Sequence, residues 1–65
     1  MSLYDYKISQ HLEMQDAPFY ALIMAAMRKA DDVNLVKLCT EWPEAWDELQ
    51  ERYNAPGGLL LGERP

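Results

Sequence analysis

The chain has little of what small proteins use to hold themselves together. In 65 residues it carries one cysteine, Cys39, and one histidine, His11. A lone cysteine excludes an internal disulfide and points to a reducing setting. One soft ligand of each kind is too few for a structural zinc site, and nothing else suggests a metal or a cofactor. Basic residues are scarce, six against eleven acidic ones, for a formal net charge of -5. That balance argues against direct nucleic-acid binding and leaves a basic partner open. No apolar run approaches the ~20 residues of a bilayer span, so no membrane role is expected. The opening MSLYDYKIS has neither the basic nor the apolar region of a signal peptide. The expected setting is the cytoplasm.

What is present is concentrated in APFYALIMAAM, residues 17–27, where no residue is charged and all but Pro18 are hydrophobic. As a helix this segment is apolar on nearly all sides, and such a helix has to be covered on all sides. A chain this short has few elements to do it, because small domains bury a small share of their surface. Either the other helices wrap the segment closely or a second copy of the chain covers it.

The periodicity predicts an all-α domain of three to four helices over residues 1–58, a flexible tail over 59–65, and completion by homo-oligomerisation. The first helix is expected over residues 3–15, with Tyr4, Ile8, Leu12 and Gln15 on one side. Tyr4, Tyr6 and Ile8 also alternate with polar residues, which is a strand period; a lone strand would need a partner edge, and nothing else reads as one. Asp16 is expected to cap a second helix over 17–30, with Pro18 in its first turn. Phe19, Leu22, Ile23, Ala26, Met27 and Ala30 would form its core face. Asp31 and Asp32 introduce a third helix over 33–40, with Leu35, Leu38, Cys39 and Trp42 as its stripe. Pro43 ends that helix and opens a fourth over 43–53, whose buried stripe is expected to be Trp46, Leu49 and Tyr53. Asn54 suits a left-handed cap and Pro56 prevents continuation.

The residues that could carry chemistry are few. No acid, base and nucleophile form a catalytic set; a Cys39–His11 pair would need a geometry that spacing does not supply, and Cys39 sits on a core stripe. An enzyme is the least expected class. The far side of the second helix, with Tyr20, Ala21, Met24 and Ala25, and the tail leucines Leu59, Leu60 and Leu61 are the expected oligomer contacts. Glu44, Asp47, Glu48 and Glu51 share one face of the fourth helix. They read as a solvated face, or as a recognition surface for a basic partner; facing Glu-x-x-His pairs, which a carboxylate di-metal bundle needs, are missing. The Gly-containing run 54–58 is a hinge or a ligand-contacting loop. Tyr4 and Tyr6 suit an interface or a stacking surface.

The runs DAPFYALIMAAMRKADDVN and EWPEAWDELQERYNAPGG resemble a recurrent group of short, acidic helical proteins from phages, prophages and other mobile elements. The resemblance spans residues 16–58 and brings no catalytic motif. It implies an accessory protein in a bacterial host that works by stoichiometric binding, in the manner of defence inhibitors and nucleotide sponges. Two expectations follow. In one, a homo-oligomer sequesters a small anionic, nucleotide-like signal between subunits. Arg28, Lys29 and Lys37 would supply charge, Tyr4, Tyr6 or Tyr20 a stacking surface, and Asn54, Gly57 and Gly58 would supply contacts from the loop. In the other, the acidic face blocks a basic groove of a host protein. A structural or packaging component stands behind both.

Overall fold

In the computed structural model, which describes residues 1–64, the chain folds into α1 (Leu3–Met14), α2 (Phe19–Lys29), α3 (Asp32–Glu41) and α4 (Pro43–Tyr53), followed by a 3-10 turn at Pro56–Gly58. No strand occurs among the described residues. Residues 3–9 belong to α1, and its cap shows why the helical period prevails over the alternation. The Ser2 hydroxyl accepts from the Asp5 amide at 3.2 Å and donates to the Asp5 carboxylate at 3.0 Å. The cap satisfies one of the free amides of the first turn, and Asp5 also complements the helix dipole.

The start of α2 differs from the sequence expectation. Asp16 does not cap it; Pro18 occupies the cap position with an extended backbone (φ -63, ψ 152) and no side-chain hydrogen bond. Proline disfavours the helical region for the residue before it, so Ala17 cannot begin a helix. The capping of α3 follows expectation: the Asp31 carboxylate accepts from the Asn34 amide at 2.8 Å. Trp42 ends α3 and begins α4 at φ -128, ψ 61, a break imposed by Pro43. Its amide donates to the Leu38 carbonyl at 2.8 Å, and its carbonyl accepts from the Trp46 amide at 3.2 Å.

The core is small. Met27 (3% exposed), Ala45 (6%) and Leu49 (7%) are the buried hydrophobics, with Ile23, Met24, Leu35, Leu38, Trp42 and Trp46 packed around them. α4 is the central element, in contact with α2, α3 and the 3-10 turn, while α2 also meets α3. Leu35, Leu38, Cys39 and Trp42 are all half-buried, so the α3 stripe is as expected. On α4 the inward line is Ala45–Leu49–Arg52 with Trp46 half-buried beside it, and Tyr53 is 74% exposed rather than buried. Asn54 is a right-handed cap (φ -90, ψ -4), not a left-handed one; its side-chain amide donates to the Gln50 carbonyl at 2.9 Å instead. Positive φ falls on Gly57 (63) and Gly58 (71), a backbone that glycine adopts without steric cost.

The four helices do not form one closed bundle. No Cα of α1 lies within 8 Å of another helix, and the molecule measures 43 × 27 × 16 Å. α2 is therefore not wrapped within the chain. The core takes Ile23, Met24 and Met27 from it, a line that falls between the two faces expected from the sequence. Leu22 and Ala26 point away from that core and are exposed, and Phe19, also exposed, meets only its Trp42 edge. No helix among the described residues is long and apolar enough to cross a membrane.

Candidate docking groove and the clefts of the core

The stand-off of α1 leaves a wide concavity beside α2. A groove of about 580 Å³ runs between α1 and α2, with Leu12, Phe19, Leu22, Ala25 and Ala26 as its apolar lining and Ser9, Glu13, Gln15 and Lys29 at its polar margin. Local sequence rules position each wall. On α1, Ser9, Leu12 and Glu13 form the wall, and Leu12 ends a stripe with Tyr4 and Ile8, which recur every four residues outside the groove. On α2, Leu22, Ala25, Ala26 and Lys29 fall at i, i+3, i+4 and i+7, one face turned away from the core line. Small Ala25 and Ala26 leave room there for another backbone to approach. Phe19 links groove to core, with its ring edge-on to Trp42 at 6.2 Å between centroids and to Tyr20 at 5.3 Å.

Two smaller clefts flank α4. Tyr20, Met24, Glu44, Ala45 and Glu48 line one of about 250 Å³. Arg28, Trp46, Leu49, Gln50 and Tyr53 line another of about 320 Å³, whose lining includes one cation and two aromatic side chains.

The C-terminal segment is clasped to α4 through Arg52. The guanidinium donates to both Glu63 carboxylate oxygens at 2.6 and 2.8 Å, to the Gly58 carbonyl at 2.8 Å, and through Nε to Glu48 at 3.0 Å. The Leu60 amide completes the clasp by donating to Glu63 at 2.9 Å. The fork-on-fork pairing is the strong form of this interaction. The Arg52 hydrogen bonds, followed by the Leu60 amide, draw the Glu63 carboxyl down from 4.5 to about 2. Glu63 and Glu48 in turn raise the Arg52 guanidinium above its ordinary value. Leu59 and Leu60 become half-buried, and Leu61 stays in solvent. Arg52 and the Leu60 amide thus both hold Glu63, and the turn before this segment carries its own hydrogen bonds.

The residues proposed for a nucleotide-like ligand are dispersed. Tyr4 and Tyr6 are exposed on α1, Tyr20 lies beside Glu44 and Glu48, Arg28 lines the cleft with Trp46, Lys29 lines the α1–α2 groove, and Lys37 is exposed on α3 outside all three concavities. The Asn54 and Gly58 amides donate to the Gln50 and Ala55 carbonyls, so the loop offers fewer backbone donors than the sequence suggested. Among the expected oligomer residues, Met24 packs on the core, Ala25 lines the groove, and Ala21 is exposed. His11 lies on α1, away from Cys39 on α3, so the two do not meet. No cluster of His, Cys, Asp or Glu suited to a metal occurs among the described residues. Glu44, Asp47, Glu48 and Glu51 are exposed on α4, with Glu48 engaged by Arg52.

Sequence reasoning missed the groove and the clasp. The recurrence of Leu22, Ala25, Ala26 and Lys29 carried a signal for the groove, masked because α2 is apolar on both faces. Arg52–Glu63 spans a turn, and no periodicity marks it. No family model, curated protein or solved structure matches this chain.

Proposed function

We propose that the chain is a small, non-enzymatic binding protein that acts stoichiometrically by accepting an apolar helical surface in the α1–α2 groove. One observation carries the reading: α1 holds its shape with no helix of its own chain against it, beside an open apolar groove. A helix of 12 residues is marginal in water without a partner, and contiguous apolar surface of this kind marks an interaction site. The resemblance to short mobile-element proteins supports a binding role in a bacterial host. The test is hydrogen exchange of the α1 amides in protein isolated natively with whatever it retains. Occupancy protects them, and Leu22→Glu removes the protection. Equal exchange in parent and variant would refute the reading.

A second reading concerns small anionic ligands. The Arg28 cleft, which Trp46 and Tyr53 also line, supports a planar anion rather than an extended one. With Lys29 and Lys37 on other faces, capture there rests on a single cation per chain unless copies combine their charges. Calorimetry against a nucleotide panel tests it, with Arg28→Gln as the losing variant.

A further inference from the structure

We infer that the occupant of the α1–α2 groove is a second copy of this chain, each copy laying the Tyr4–Ile8–Leu12 stripe of its α1 into the groove of the other. The inference rests on the docking reading and names its partner. Surface area supplies the first argument. The chain exposes 5789 Å². A folded monomer of 7.5 kDa is expected to expose about 4,200 Å². The excess of about 1,600 Å² exceeds the ~800 Å² that each partner buries in a standard interface and falls in the obligate class.

Self-complementarity supplies the second. A two-fold interface uses the same patch on both copies, so that patch has to hold both a protruding part and a receiving part. This chain has both side by side. The protrusion is the exposed part of the α1 stripe, where Tyr4 and Ile8 stand outside the chain's own groove and Leu12 borders it. The receptor is the groove floor at Leu22, Ala25 and Ala26, open enough for a helix to approach closely. Its margin carries one acidic residue, Glu13, and one basic residue, Lys29, so each copy offers the other a charge of each sign. The arrangement also explains how a core of three buried side chains suffices, because apolar surface left open in one chain is covered between chains.

Leu22 (37% exposed) and Ala25 face away from Met27, Ala45 and Leu49, so charges placed there leave the single-chain core intact. Sedimentation velocity of the full chain from about 1 to about 100 μM spans a micromolar dissociation constant. The expected result is a species of twice the chain mass, with Leu22→Glu and Ala25→Glu each raising the dissociation constant at least ~100-fold while helical content persists. A parent that stays monomeric throughout overturns the inference, and so do variants that remain dimeric. Exchange separates the two failures: a monomer whose α1 is still protected in a Leu22-dependent way has a different occupant and leaves the docking reading standing, whereas a monomer with unprotected α1 ends both.

Discussion

Replacing Leu49 by alanine tests where the fold keeps its stability. Leu49 is 7% exposed on the central helix and packs in one cluster with Met27 and Ala45. Deleting a buried leucine costs about 2–5 kcal/mol, depending on how far the site collapses. The surrounding shell is only half-buried, so it can relax and water can enter; the expected cost is about 3 kcal/mol. Against a total stability of about 3–10 kcal/mol for a chain of this length, that is a large fraction. At about 4–8 °C per kcal/mol, the melting temperature falls by roughly 12–24 °C. Circular dichroism melts read this directly, at one fixed chain concentration because association raises the apparent midpoint. Val36→Ala is the control. Val36 sits exposed on α3, and its truncation changes stability by about 0.5 kcal/mol or less. A Leu49→Ala midpoint within about 3 °C of the parent, or a Val36→Ala loss of equal size, would refute the assignment of the core.

Three further outcomes follow from named contacts. Asp31→Ala removes the cap on Asn34 and should cost about 1 kcal/mol, read as a lower urea midpoint with an unchanged slope. The Glu63 carboxyl is held below its unfolded value, so its clasp contributes fully above about 4.5 and is lost as pH falls towards about 2; the Leu60 amide should then exchange faster, and Glu63→Gln should show that faster exchange already at neutral pH. Arg28→Gln should leave the melting curve unchanged, because Arg28 is exposed, while reducing any affinity for planar anions. Equal binding by parent and variant counts against the Arg28 cleft.

The parts of the fold that a local rule governs were legible in the sequence. Pro43 predicts the α3–α4 break, Asp31 the start of α3, and the Leu35–Trp42 spacing the stripe that α3 buries. Misplaced elements are those where two local rules competed. Asp16 is a good capping residue, but the proline two positions on forces Ala17 out of the helical region, and the cap moves to Pro18. Tyr53 continues the Trp46–Leu49 period, yet Ala45 and Arg52 face inward and rotate it out. Small Ala45 permits the close approach of α2 and α4, and periodicity in hydrophobicity alone ranks it below tryptophan and tyrosine. The face of α2 that the core would choose could not be read, because both faces are apolar. That choice depends on how α2 docks on α3 and α4, which is a tertiary outcome.

The path of α1 is itself set by a short stretch of backbone. Gln15 is extended (ψ 146), its carbonyl accepts from the Ala17 amide at 2.9 Å, and Pro18 is extended again (ψ 152). A tight turn followed by a residue with fixed φ makes a stiff connection. With Gln15 and Pro18 extended on either side of that turn, the connection holds the two helices apart at the width of the groove. Stiffness of this kind has an energetic consequence for association. Much of the cost of binding is the ordering of flexible parts, and a surface held open in advance avoids that share. On this argument the Gln15–Ala17–Pro18 connection matters to docking as much as the apolar walls do. Pro18→Gly should therefore weaken self-association through the freedom it gives α1, while the Met27–Ala45–Leu49 core, which Pro18 does not line, keeps its cooperative melt.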